Sequence, residues 1–130
     1  MRRTLAIVGT AETASEHPLG LAIRAFYKDY FACEMFGHCE DFSAIWGFGL
    51  RAKVSGIEFL LDKANDVLDR KVYSVLIGNR EWMQKNQIKM TEDTDLAMSK
   101  YEYNGHTVVF VAIDGKTYFG NLSLFPKDKL

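Results

Sequence analysis

A chain of 130 residues has the usual length of one domain and is long enough to bury a real core. Its hydrophobic share of 48% and charged share of 25% are those of soluble globular domains, which excludes disordered, collagen-like and mucin-like classes. Sixteen Lys and Arg against seventeen Asp and Glu give a formal charge of -1, without the basic stripe that a nucleic-acid partner requires.

Met1-Arg2-Arg3 followed by Thr4 to Val8 has the outline of a signal peptide. Glu12 and Glu16 arrive before any adequate apolar stretch or cleavage site, so the segment reads as the start of a helix. Leu5, Ile7, Val8, Ala11 and Ala14 carry helical spacing that breaks at His17-Pro18. Pro18 suits the first turn of a second helix, whose Leu19, Ala22, Ile23, Phe26, Tyr27 and Tyr30 recur at three-to-four-residue spacing up to about Phe31. Cys33 and Cys39, with His38 beside the second, invite a disulfide or a metal site. A structural zinc site wants four ligands and closely paired cysteines, so free thiols in a reducing compartment and no metal site are expected. A small metal-binding protein built on Cys33, His38 and Cys39 is the rival reading.

From Asp41, the alternation of Phe42, Ala44 and Trp46 predicts a strand; Gly47-Phe48-Gly49 turns the chain into a second, Leu50 to Val54. Ile57 to Leu61 is a candidate extension of the sheet, and charged Asp62 to Arg70 an exposed connection tolerant of insertions. Val72 to Ile77 is a β-rich run stopped by Gly78-Asn79, after which Arg80 to Asn86 reads as a short helix with Trp82 and Met83 inward. Thr91, Asp93 and Thr94 open a helix containing Leu96, Ala97 and Tyr101 that ends at Asn104-Gly105. Thr107 to Ile113 and Thr117 to Leu124 are strands joined by Asp114-Gly115, a hairpin signal. The longest apolar runs, such as Val108 to Ile113, fall far short of the ~20 residues of a membrane-spanning helix. With no repeat and no linker, residues 1–130 read as a single unit of α/β class (α+β type), an antiparallel sheet of about six strands flanked by helices.

Three loops carry polar or glycine residues at the ends of apolar elements: Glu12 to Pro18, Trp46 to Gly49, and Gly78-Asn79. His17 precedes a proline, which keeps its backbone out of helical geometry and sets its imidazole at a kink where it can stack on a base. Gly47 and Gly49 let backbone N–H groups approach a phosphate or ribose. There is no P-loop, and this G-x-G opens a strand where a dinucleotide fingerprint would open a helix. The ordinary readings compete: His17 as a turn residue, Glu12 as a solvated helix charge, Gly47 and Gly49 as hairpin glycines, Asn79 as a helix cap. The residues alone yield an α/β domain with a candidate ligand site.

The string Gly9-Thr10-Ala11-Glu12, then Ser15-Glu16-His17-Pro18-Leu19-Gly20 and Ala22-Ile23, resembles the signature of the nucleotide-binding (N) domain of heavy-metal P-type ATPases. Val75 to Met83 and Val109 to Gly115 are further matches, in the order shown by copper-transporting members, and the likeness is greatest to the animal pumps of the Wilson and Menkes disease protein type. The resemblance implies the P-type ATPase N-domain fold, here a single ATP-binding domain excised from a larger membrane pump. It implies ATP as ligand, with Mg2+ carried on the phosphates. Glu12 would accept from the adenine amino group, His17 contact the ring, Gly47, Gly49, Gly78 and Asn79 surround the ribose and phosphates, and Leu50 offer an apolar contact.

The partners implied are the phosphorylation and actuator domains of the pump, with no nucleic acid and no direct membrane contact, and the isolated domain a monomer. The setting implied is a cytoplasmic domain of an integral membrane protein of the Golgi or plasma membrane. Trp46-Gly47-Phe48-Gly49 departs from the family's usual Pro-Gly-Cys-Gly. The chain has no Asp-Lys-Thr-Gly-Thr phosphorylation motif and no Cys-x-x-Cys copper ligands, so it is expected to bind ATP without hydrolysing it and to contribute positioning, with no catalytic residue of its own. The alternative is a regulatory or interaction module of the same fold that has lost nucleotide affinity.

Overall fold

The computed structural model describes residues 2–60, 71–105 and 108–121. Two helices come first, α1 (Arg2–Ala11) and α2 (Pro18–Phe31), followed by strands β1 (His38–Ile45), β2 (Gly49–Ser55) and β3 (Tyr73–Gly78). Two more helices, α3 (Arg80–Lys85) and α4 (Glu92–Tyr103), precede the strands β4 (Val108–Ile113) and β5 (Lys116–Asn121). Among the described residues five strands, not the expected six or so, form one antiparallel sheet in the order β1-β2-β3-β4-β5.

Strand periodicity distributes the core over both faces of this sheet. Leu50, Ala52 and Val54 of β2, Tyr73, Val75 and Ile77 of β3, and Val111 and Ile113 of β4 pack with Leu5, Ile7, Val8 and Ala11 of α1 and Ile23 and Tyr27 of α2. The alternate residues of β4, Phe110 and Ala112, pack with Trp82 and Met83 of α3 and Met98 of α4. Helices on both faces explain why β4 reads as an unbroken apolar run while β2 alternates with Arg51 and Lys53.

Local chemistry sets the element ends. The imidazole of His17 caps α2, Asn79 caps α3 by accepting from the Trp82 N–H, and Thr91 caps α4 by accepting from the Thr94 N–H. Asp114 and Gly115, at φ 51 and 82, make the primed turn expected between β4 and β5.

The structure corrects several expectations. Ile57 to Leu60 does not extend the sheet: Gly56, at φ 69, turns the chain out of the ladder, and Glu58–Leu60 is a single tight helical turn that sends Ile57 and Leu60, three apart, into the core. The first strand begins at His38, ahead of Asp41, and ends at Ile45, leaving Trp46 in the turn. A bulge between Glu40 and Ser43, with Asp41 at φ 52, shifts the side-chain phase, so that Cys39 and Phe42 both reach the core although regular alternation would put positions three apart on opposite faces. In α4 the fully buried residue is Met98, while Leu96 is exposed. The expected connection from Asp62 to Arg70, and Thr107 and Leu122 to Leu124, lie outside the described residues.

The contact between α1 and α2 depends on a missing side chain. A Cβ at Gly9 would sit 2.4 Å from Cδ2 of Tyr27. Tyr27 is itself fixed, its ring stacked on Phe36 at 4.3 Å and its hydroxyl donating to the Met35 carbonyl at 2.8 Å. Gly9→Ala is therefore expected to lower stability by about 1–3 kcal/mol, seen in urea denaturation as a lower midpoint with an unchanged slope.

Candidate nucleotide-binding cavity

Between the break separating α1 from α2 and the start of α3 lies a cavity of about 660 Å³. All seven residues singled out in the sequence line it: Glu12, His17, Gly47, Gly49, Leu50, Gly78 and Asn79. They converge because the break and the β1–β2 turn lie at the end of the sheet where β2 begins and β3 ends.

At one end, residues 12–14 form a short helical turn that continues from α1, and Glu12 is 3% exposed. The space for its carboxylate exists because α2 carries Gly20 there; a Cβ at Gly20 would lie 2.7 Å from Oε2 of Glu12 and 2.8 Å from Oγ of Ser15. One turn later in α2, Arg24 donates to the carbonyls of Thr13 (3.1 Å) and Ser15 (3.3 Å), bracing the loop from behind. His17 is exposed, and its Nδ1 accepts from the Leu19 N–H at 3.1 Å, so the neutral ring carries its proton on Nε2.

At the other end, Gly49 and Gly78 are paired across β2 and β3. A Cβ at Gly49 would meet the Ile77 carbonyl at 2.1 Å, and one at Gly78 the Phe48 carbonyl at 2.3 Å, so neither position accommodates a side chain. Asn79 ties this end together. Its Oδ1 accepts from the Trp82 N–H (2.9 Å), its Nδ2 donates to the Gly47 carbonyl (2.7 Å), and its backbone N–H donates to the Phe48 carbonyl (2.9 Å). The cap role and the site role thus fall on one residue, and a second Nδ2 hydrogen stays available.

Leu50 is buried, as are Gly20 and Ile77, while Leu19 and Val109 are half-buried. Ser15, Leu19, Gly20, Ile77 and Val109 also line the cavity. None of them was among the site residues expected from the sequence, although Ser15, Leu19 and Gly20 stand in the string that carries the family resemblance. No Lys or Arg is among the lining residues described.

The chain is 38% identical, over 88% of its length, to Copper-transporting ATPase 2 of Homo sapiens, and 35% identical over 86% to Copper-transporting ATPase 1 of Rattus norvegicus. It spans 9% and 10% of those relatives' own lengths. The fold is similar to the crystal structure of the N-domain of HMA8, a copper-transporting P-type ATPase, with a TM-score of 0.62 at 18% identity, covering 92% of this chain and 86% of that one. The N-domain of HMA6, also a copper-transporting P-type ATPase, gives 0.54 at 20% identity, covering 89% and 84%. No family model matches. The chain is related to the copper-transporting P-type ATPases and has the fold of their N-domain.

A second cavity of this N-domain, about 710 Å³, lies around Arg80, Gln84, Ile88 and Met90 beside α4 and contains none of the sequence candidates. There Arg80 forms ion pairs with Asp95 and Glu102 and lies over the Phe110 ring, holding α4 to α3 and β4. The thiol-rich segment is dispersed: His38 pairs with Glu40, Cys33 accepts from the Met35 N–H, and the Cys39 thiol faces the Ala11 carbonyl. Among the described residues, no group of three or more His, Cys, Asp or Glu is arranged to hold a metal ion, and no helix is long and apolar enough to cross a membrane.

The electrostatics of the N-domain cavity are dominated by Glu12. Burial pushes its carboxyl up to about 7, against smaller opposing effects of the Ser15 hydroxyl and the Arg24 charge. An acid whose folded pKa lies above its unfolded value binds more protons folded than unfolded between the two, so stability falls as pH rises through that window. From the ordinary 4.5 to about 7, the N-domain is expected to lose up to about 3 kcal/mol on this account and then level off. Urea titrations across that range check this, and Glu12→Gln should flatten the profile.

Proposed function

We propose that this N-domain binds ATP in the cavity and presents its terminal phosphate to an aspartate in a separate phosphorylation domain of a copper-transporting pump. One observation carries the reading: three loops distant in sequence deliver a buried carboxylate, an exposed imidazole and two side-chain-free strand ends to one cavity of about 660 Å³. That size suits a nucleotide-sized ligand.

In this reading the adenine enters at the Glu12 end, where the carboxylate accepts from the exocyclic amine and the His17 ring packs on the base. Gly47, Gly49, Gly78 and Asn79 flank the ribose and phosphates, with Leu50 as an apolar contact. Without a phosphate-cradling loop, and with no lining cation among the described residues, the triphosphate gains little charge stabilisation here. Affinity then rests on the base and is modest, roughly millimolar to micromolar. Mg2+ arrives on the phosphates. The domain's contribution to phosphoryl transfer is position, the aspartate and its surroundings belonging to other domains of the pump. The cytoplasmic setting and the contacts with phosphorylation and actuator domains are part of the same proposal.

The test is an ATP titration followed by amide chemical shifts. Saturable shifts near His17 and Gly49 are expected, and no saturable change would leave a module of the same fold without nucleotide affinity. The helix cap refines the choice of variant. His17→Ala removes both ring and cap, so it should lower stability by about 0.5–2 kcal/mol in addition to weakening ATP. His17→Asn keeps a cap acceptor and removes the ring, so ATP binding should weaken by about 1–3 kcal/mol with the melting temperature unchanged.

Recognition by an ionised Glu12 also fixes a pH dependence. An N–H donor favours the carboxylate, so binding must displace the proton that burial retains below about 7. ATP affinity is expected to fall about tenfold from about pH 8 to about pH 6. The Glu12→Gln variant, which shares the titration of the ATP phosphates, provides the baseline; equal slopes in the two proteins would remove Glu12 from base recognition.

A further inference from the structure

The tip of the β1–β2 turn holds an indole that the fold does not use. The Phe48 N–H donates to the Ile45 carbonyl at 3.0 Å, and Gly47 sits at φ 82, which makes Ile45 to Phe48 a tight turn with Trp46 at its second position. The turn is anchored from the far side by the Asn79 amide on the Gly47 carbonyl. Its backbone is therefore held, while the Trp46 side chain is 97% exposed.

Among the described residues, no ring, cation or hydrogen-bond partner meets that indole, yet Trp46 borders the cavity. The contrast with Trp82 is direct. Trp82 is buried, its Nε1 donates to the Leu50 carbonyl at 2.9 Å, and it packs near Phe48 and Arg51.

We propose that Trp46 is a specificity-determining residue of the cavity, its indole reaching from the turn beside Gly47 to stack on the face of the bound base that His17 leaves open. The proposal rests on the ATP reading given above. Leu19, Leu50, Ile77 and Val109 give the cavity an apolar lining against which a planar base can seat, and Glu12, His17 and Trp46 line the same cavity. An indole presented by a pinned turn offers the complementary π surface, and because the backbone that carries it is already fixed only its side-chain rotamer freedom is lost on binding. Stacking of this kind selects for an aromatic base and contributes nothing to a bare polyphosphate.

The experiment titrates the chain with ATP and, separately, with inorganic tripolyphosphate, following heat and tryptophan emission together. The unsubstituted chain, Trp46→Phe and Trp46→Ala are compared. ATP should quench the emission of the unsubstituted chain with the midpoint read from heat, while tripolyphosphate leaves the emission unchanged. Trp46→Ala should bind ATP about tenfold or more weakly, and Trp46→Phe within about threefold of the unsubstituted chain with the quench lost. Melting temperatures should coincide, since the side chain is exposed.

If ATP binds by heat but Trp46→Ala binds equally well and emission does not move, Trp46 has no part in the site, the outcome also expected were it to serve a protein partner; the ATP reading then stands without it. Quenching by tripolyphosphate as strong as by ATP likewise overturns base stacking. Absence of any saturable heat with ATP refutes the ATP reading itself, and the role of Trp46 with it.

Discussion

The backbone-to-backbone contact of Gly49 with Gly78 is the constraint on which the rest of the cavity depends. Neither residue has space for a Cβ, so β2 and β3 close against each other at the point where one begins and the other ends. That closure brings the Phe48 carbonyl within reach of the Asn79 N–H and the Gly47 carbonyl within reach of the Asn79 amide. Asn79 in turn starts α3, whose Trp82 packs beneath both glycines and donates to the Leu50 carbonyl. One contact thereby couples the sheet, the wall of the cavity, the turn that carries Trp46 and a helix of the opposite core. A side chain at either glycine would separate these parts together, which is why the cost of substitution there extends beyond local strain.

Which features were legible in the sequence follows from how local their causes are. The break at His17-Pro18, the caps at Asn79 and Thr91 and the turn at Asp114-Gly115 are fixed by the chemistry of two to four adjacent residues, and each appears where that chemistry puts it. The bulge at Asp41 and the exit from the sheet at Gly56 arise from positive φ values that tertiary packing selects, so alternation alone extended the strand to Trp46 and added one at Ile57. α4 illustrates a different limit. It has no apolar stripe to read, and it is held by the single buried Met98 and by Arg80 reaching from α3 to Asp95 and Glu102.

The candidate site was legible as three loops that could share one site, and the family resemblance supplied the ligand and the residue roles. The structure adds the geometric reason for the grouping: all three sit where α1 breaks and β2 and β3 close, around one cavity. Gly20 stands in the string that carries the resemblance, but neither it nor Arg24 was read as a site residue, because each acts through packing behind the loop that sequence spacing does not reveal. Their importance lies in what they allow. Gly20 clears the volume into which Glu12 turns, and Arg24 fixes the carbonyls of the loop that presents it.

The two ends of the cavity differ in electrostatic character, and the proposed function gives that asymmetry a use. Glu12 is kept at a cost to the fold, since burial resists its charge, and such a group is retained where a ligand donor can stabilise the ionised form. The glycine end presents backbone and an amide, with no lining cation among the described residues. A domain that gripped the triphosphate would compete with the aspartate that must receive it. On the proposed reading, recognition is concentrated on the base because the terminal phosphate has to stay transferable, and a site without a phosphate cradle follows from that requirement.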